Sequence, residues 1–210
     1  RHQVLPQDNW DQECTFEMFP VTTAVNPDPK ADGMLAVGRV KGATRRVLTG
    51  VPCKTSIVWS FDAAKGDFLW AKSTVYQNLV TSIDSKGLVT PNPEMFMTDY
   101  SKTYRQCPTH AGGRDWPFTA YSPQSNLLFV QLQNLCTDIH VRADNIPSRL
   151  VDGYNTLGTA KLSPGHSGIG RIDAVVEHLY AISTERRLTQ PAIVAISKAA
   201  RRDVFGGVAH

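Results

Sequence analysis

Asp8, Asp11, Glu13 and Glu17 stand around Trp10 in DNWDQECTFEM, residues 8–18. Ionised carboxylates at such spacing can act as a general base or supply the hard oxygen ligands that Ca²⁺ prefers, and without further context the same cluster reads as a solvated acidic loop. A second dense stretch is CPTHAGGRDWPFTAYSP, residues 107–123, which sets a cysteine, the pair Gly112-Gly113, the pair Arg114-Asp115 and Trp116 close together ahead of a turn. Glycines let a backbone come near something flat or bulky, and Asp beside Trp offers a hydrogen-bonding group next to an aromatic face. A bound ring is one candidate.

The elements that must position these residues read as short strands. In TSIVWSFDAAKGDFLWAKS, from Thr55 onward, β-branched and aromatic residues run up to a polar turn and resume beyond it, which predicts a hairpin. Within it Asp62, Gly66 and Trp70 fall at intervals of four: Asp to bond its own backbone, Gly to take positive φ, and Trp to pack on a neighbouring sheet. An ordinary hairpin with a core Trp explains these three residues as well. NLLFVQLQN after the turn signal SPQS, RRVLTGV and GIGRIDAVV have strand composition too. Gly, Pro and Asp turns between short strands favour an all-β sandwich, barrel or propeller. Residues 24–43 and 91–105 read as long excursions between strands. Near the end Ile172, Val175, Val176, Leu179 and Ile182 sit at helical spacing, in conflict with the strand reading of GIGRIDAVV.

Bulk composition narrows the function classes. With 210 residues, 41% hydrophobic and 20% charged, the chain is ordinary globular protein, and 15 Gly with 13 Pro indicate many turns. A net charge of +3, evenly spread, is too small for the footprint of a nucleic-acid binder; Arg45-Arg46, Arg186-Arg187 and Arg201-Arg202 read as solvated faces. No apolar run is long enough for a transmembrane segment, and no signal peptide opens the chain. The first residue is Arg1, so a processed product or a fragment is expected. Cys14, Cys53, Cys107 and Cys136 are an even number at wide spacings without a C-x-x-C pair, which suits disulfides better than zinc. Cys107 and His110 have a ligand-like interval but no second close pair.

The segments DNWDQECTFEM, RRVLTGVPCKT, FDAAKGDFLWA, YQNLVTSID, CPTHAGGRDWP, LQNLCTDI and GIGRIDA, in this order, resemble the quinoprotein alcohol dehydrogenases, the sorbose/alcohol type above all. The resemblance covers about residues 1–175. It implies a partial β-propeller over 1–175, made of several four-stranded antiparallel blades of an eight-bladed propeller, and a divergent tail over 176–210, helical or irregular, as an eroded next blade. FDAAKGDFLWA is similar to the family's docking motif, whose Trp wedges between blades.

The chemistry implied is oxidation of a primary or secondary alcohol or a sugar alcohol, with pyrroloquinoline quinone as hydride acceptor and Ca²⁺ or a lanthanide beside it. Asp11 matches the family's catalytic base or metal-side carboxylate, and Glu13 lies where lanthanide-dependent members carry an extra Asp ligand. Lys54 matches the cation that hydrogen-bonds the quinone oxygens; Asp115 matches a residue at the quinone edge, with Trp116 beside it and the glycines admitting backbone to the ring. Cys107 and Cys136 match a family disulfide. If Asp11 and Lys54 meet at one cofactor, their neighbours Cys14 and Cys53 are expected to bond as well. An electron acceptor such as a cytochrome c and periplasmic residence also follow from the resemblance.

The family's vicinal cysteine ring, its second quinone-facing Trp and the Glu and Asn that ligate the metal have no candidates here, so the chain by itself is expected to be an inactive fragment. Two other readings stand beside this one. A non-catalytic propeller scaffold shares tryptophan-docked blades but needs no acidic site. A hydrolase is suggested by GHSGIG, residues 165–170, in which Ile169 displaces the Gly that a nucleophile elbow requires.

Overall fold

The computed structural model describes residues 1–40, 42–140, 157–162 and 170–176, the last two stretches as backbone strands. Strands β1 (Met18–Ala24), β2 (Met34–Val37), β3 (Thr44–Gly50), β4 (Ile57–Asp62) and β5 (Phe68–Ser73) form one antiparallel sheet in the order β1-β3-β4-β5-β2. Strands β6 (Val80–Ile83) and β7 (Val89–Pro91) pair with each other. Strands β8 (Thr103–Gln106), β11 (Leu135–His140) and β12 (Leu157–Leu162) make a third sheet, and β9 (Ala120–Ser122), β10 (Leu127–Gln133) and β13 (Gly170–Val176) a fourth. The fold is all-β, as expected. Its sheets have five, three, three and two strands among the described residues, not uniformly four.

Turn chemistry places the central hairpin. Asp62 Oδ1 accepts hydrogen bonds from the backbone N–H groups of Ala64 (3.0 Å) and Lys65 (3.1 Å), and Gly66 follows at φ +73°. A Cβ on Gly66 would meet nothing within 4 Å, so glycine is needed there for its dihedral and not for space. The device recurs between β6 and β7, where Asp84 Oδ1 accepts from Lys86 and Leu88 N–H, each at 2.8 Å, ahead of Gly87 at φ +81°.

Strands β4 and β5 are buried on both faces, which is why IVWSF and FLWA read as continuous apolar runs. One face carries Ile57, Trp59, Phe61, Phe68 and Ala71 into a cluster with Leu79 to Val89 of the β6–β7 hairpin and with Met95 and Tyr104. The other carries Val58, Leu69 and Trp70 into a cluster with Val21, Val47 and Leu128, Val130 and Leu132 of β10. Leu69 and Trp70 are consecutive yet join one cluster because the register slips between Ser60 and Phe61, so Phe61 pairs with Phe68 and Ser60 with Trp70. Trp70 therefore packs in one cluster with residues of β10 from another sheet.

Several expectations change. Residues 24–43 are not a plain excursion, since β2 lies within them as an edge strand on β5. It is short, evenly half-buried and without alternation, so it carries no periodic signal. Residues 91–105 contain a 3-10 turn, Pro93–Met95, capped by Asn92, and most of β8. Ile172, Val175 and Val176 lie on β13 paired along β10, so pairing overrides their helical spacing. Beyond Val176 the tail lies outside the described residues, as does the Ser167 of GHSGIG.

Candidate functional site

The acidic segment is held by its buried residues. Trp10 is buried and its Nε1–H donates to Met95 O at 2.7 Å; Gln106 Nε2 donates to Trp10 O at 2.9 Å and Gln12 Nε2 to Thr109 O at 2.6 Å. Asp8 is absorbed by structure, because its carboxylate accepts the N–H groups of Trp10 and Gln12 at 2.9 Å each. Between these fixed points Asp11 takes φ +60° and exposes its carboxylate. A non-glycine residue in this region is uncommon, and such outliers cluster at functional sites.

Lys54 faces this segment from the turn that follows β3. The bridge Cys14–Cys53 links the two covalently, and Lys54 N–H donates to Glu13 O at 3.3 Å. The Lys54 side chain is only 8% exposed, with Nζ 2.8 Å from Glu13 Oε1 and 3.8 Å from Asp11 Oδ1. The two carboxylates are driven apart in proton affinity. Burial raises the Asp11 pKa, opposed by the Lys54 charge and reinforced by Glu13. Burial opposes the charged form of Glu13 too, but the Lys54 hydrogen bond and charge outweigh it and lower its pKa. Paired groups shifted in opposite directions are a signature of acid–base division of labour.

The glycine-rich loop meets Lys54 from another side. Gly113 N–H donates to Lys54 O at 2.9 Å, and Gln133 N–H to Gly113 O at 2.7 Å. A Cβ on Gly112, at φ +78°, would lie 2.7 Å from Lys54 Cβ, and one on Gly113 would lie 2.6 Å from Ser56 Oγ. What the paired glycines admit is therefore the Lys54–Ser56 turn itself. The structure thus joins Asp11, Glu13 and Lys54 directly and reaches Asp115 through a backbone bond two residues away. Asp115 Oδ1 is buried and, like Glu13 Oε2, has no hydrogen-bond partner among the described residues. Trp116 is 78% exposed and sets its ring edge-on to Phe16, centroids 6.4 Å apart.

Both disulfides are formed, Cys107–Cys136 and Cys14–Cys53, leaving no free cysteine. The bridge at Cys107 removes the zinc alternative with His110. Among the described residues no three His, Cys, Asp or Glu side chains lie together as a cation site, and no helix is long and apolar enough to cross a membrane. A cavity of about 590 Å³ between His2, Leu5, Met18, Leu48, Pro52 and Phe61 includes none of the candidate residues and is not this site.

Arg114 and Glu17 form a charge centre that sequence reasoning missed. Glu17 looks like one more solvated carboxylate, and nothing local to either residue signals a partner so distant in the chain. Burial works against the charged form of Glu17, but hydrogen bonds from Arg114 and the Thr119 N–H hold its pKa down at about 2, from an ordinary 4.5. A depressed carboxylate stabilises the fold above its unfolded pKa, so this contribution is present above pH 4.5 and lost as pH falls towards 2. Because the side chain is 37% exposed, solvent screening holds it to about 1 kcal/mol. Acid unfolding of Glu17→Gln is expected to show a shallower loss of stability over that window, measured by urea midpoints against pH; a slope equal to the parent's would refute the assignment.

Antiparallel sheets packed around Trp70, with a buried lysine, two carboxylates and a bridged loop brought to one place, are what the comparisons with known proteins bear on. The chain's relatives and its structural neighbours are quinoprotein alcohol dehydrogenases, and the likeness covers about 63% of the chain. No protein-family model matches it. The dehydrogenase subunit of alcohol dehydrogenase (quinone) from Komagataeibacter europaeus is 26% identical over 134 residues, 63% of this chain and 16% of that protein. The 1-butanol dehydrogenase (cytochrome c) of Thauera butanivorans is 26% identical over 134 residues, 64% of this chain and 17% of that protein. Among solved structures, the quinohemoprotein alcohol dehydrogenase of Comamonas testosteroni superposes with a TM-score of 0.64 at 22% identity, over 84% of this chain and 25% of the other. A europium-containing methanol dehydrogenase does so at 0.64 and 19%, over 82% and 27%. At these identities the superpositions speak for the fold. The match spans about a sixth of the length of the curated relatives.

Proposed function

We propose that the chain is a portion of a periplasmic quinoprotein that oxidises a primary or secondary alcohol or a sugar alcohol and passes electrons to an acceptor such as a cytochrome c. The observation that carries this reading is the buried Lys54 with Asp11 and Glu13 at its ammonium and the Asp115 loop bonded to its backbone. When bound, pyrroloquinoline quinone accepts the hydride of the alcohol carbon. The residues suit such a guest: Lys54 Nζ offers a donor to a quinone oxygen, the unpartnered Asp115 Oδ1 an acceptor at the ring edge, and Trp116 a flat apolar surface. Asp11, with its raised proton affinity and exposed carboxylate, takes the hydroxyl proton as general base. Lys54 stabilises negative charge developing at the oxygen it holds.

The fit to a cation is incomplete. Asp11 and Glu13 are candidate ligands for Ca²⁺ or a lanthanide, Glu13 Oε2 being the atom left without a partner, yet two carboxylates fall short of the six to eight oxygens Ca²⁺ takes. Further ligands must come from other residues.

The test is titration of the purified chain with pyrroloquinoline quinone, followed by quenching of tryptophan fluorescence. Saturable quenching that Lys54→Met weakens by about tenfold or more, the value of one charged hydrogen bond, is expected; absence of saturation, or equal affinity in the variant, would sink the cofactor assignment. Dye reduction by the chain alone with quinone and Ca²⁺ or a lanthanide supplied is expected to stay at background, because the cation site is incomplete.

A further inference from the structure

We propose that Glu17 is a positioning residue that braces the loop carrying Asp115 and Trp116 against the segment carrying Asp11 and Glu13, and so sets the spacing between the two halves of the site; its bearing on the quinone rests on the function proposed above. One carboxylate oxygen, Glu17 Oε1, accepts from both Arg114 Nη2 and the Thr119 N–H, the latter at 2.9 Å. Arg114 is 1% exposed; its Nη1 donates to Val51 O at 3.1 Å, its Nη2 also to Thr119 Oγ1 at 3.2 Å, and its guanidinium lies 4.2 Å above the Phe16 ring. Phe16 is itself tied to the strand side by its N–H to Pro52 O at 3.2 Å.

Asp115, Trp116, Pro117 and Phe118 lie between the two residues that Glu17 holds. Trp116 and Phe118, the large side chains of this tip, are 78% and 91% exposed, so they bury little that could fix its position. A loop tip with so little buried apolar contact opens readily unless its ends are pinned. Here both ends converge on one oxygen of the acidic segment. Glu17 is the carboxylate paired with this buried guanidinium, so the loop's Arg114 end is held to the acidic segment by a charged hydrogen bond. Asp11 and Glu13 sit on the near end of the same segment, so Glu17 acts on the site through the two backbones it joins and not by touching the ligand.

The experiment compares the unchanged chain with Glu17→Gln, which keeps the volume and one acceptor while removing the charge. Hydrogen exchange of backbone amides 114–119 is expected to quicken by about tenfold or more, while β4 and β5 amides stay as they were. Affinity for pyrroloquinoline quinone is expected to fall by about tenfold, but by less than about twofold when Glu17→Gln is added to the double variant Asp115→Ala with Trp116→Ala, because a residue acting through the loop then has nothing left to position. Should the single variant fail to fold, the neutral pair Arg114→Gln with Glu17→Gln replaces it in both arms. Unchanged exchange overturns the brace. Quickened exchange with undiminished affinity, or with losses that add in full, overturns the positioning role. If the unchanged chain binds no quinone, the proposed cofactor is what fails, and exchange alone decides whether Glu17 braces the loop.

Discussion

Replacing Cys107 and Cys136 together by alanine is expected to destabilise the chain by about 3–4 kcal/mol, the loop-closure entropy that a bridge of this span removes from the unfolded ensemble. The bridge closes a sequence separation of 29 and both cysteines are 1% exposed, so alanine leaves no buried polar group behind. Native geometry there has other support: Cys107 N–H donates to Asn78 Oδ1 at 2.9 Å, Asn78 N–H to Cys107 O at 3.0 Å, and Thr109 N–H to Leu135 O at 3.0 Å. The loss therefore falls chiefly on the unfolded state, and the folded loop that begins at Cys107 and carries Asp115 should keep its place. Urea unfolding of the parent and the double variant measures it. A difference under about 1 kcal/mol would mean that the unfolded chain is already restrained in that region.

Trp59→Ala is expected to cost about 3–5 kcal/mol, comparable with the whole stability of many domains. Trp59 is fully buried at the centre of β4, stacked 5.8 Å from Phe61 and edge-on to Phe68 at 5.7 Å. It faces the β6–β7 hairpin and Met95, whose carbonyl holds Trp10 and hence the acidic segment. A cavity at position 59 therefore loosens the floor on which Asp11 is mounted. Trp59→Phe should be much milder, because the buried indole N–H has no partner among the described residues and its removal offsets part of the lost packing. Equal losses for Ala and Phe, measured as shifts in the urea midpoint, would contradict this account.

The parts of the fold legible in the sequence are those governed by local chemistry. Asp62 and Gly66 announce their turn because the bonds that make it lie within four residues, and IVWSF and FLWA announce strands because both their faces are apolar. β2 was not legible, since an edge strand of four half-buried residues has neither alternation nor a continuous apolar run. The strand reading of GIGRIDAVV holds from Gly170 to Val176 against the helical spacing of Ile172, Val175 and Val176, which is a weak local preference set against pairing all along β10.

The candidate site divides in the same way. The residue types pointed to a cluster of carboxylates and a glycine-rich loop beside a cysteine, while Asp11 as base, Lys54 as a cofactor contact and the Cys107–Cys136 bridge were implied only by the ordered resemblance to quinoproteins. What those glycines are for was decided only in three dimensions, where they receive the Lys54–Ser56 turn. So were the contact of Lys54 with Glu13 and the bond of Arg114 to Glu17, a residue 97 positions away in the chain. Letters in order can state which groups are present and which turns are cheap, because those depend on neighbours a few bonds away. Which carboxylate neutralises which cation depends on desolvation and distance, and these exist only once sheets stacked face to face have brought remote segments together.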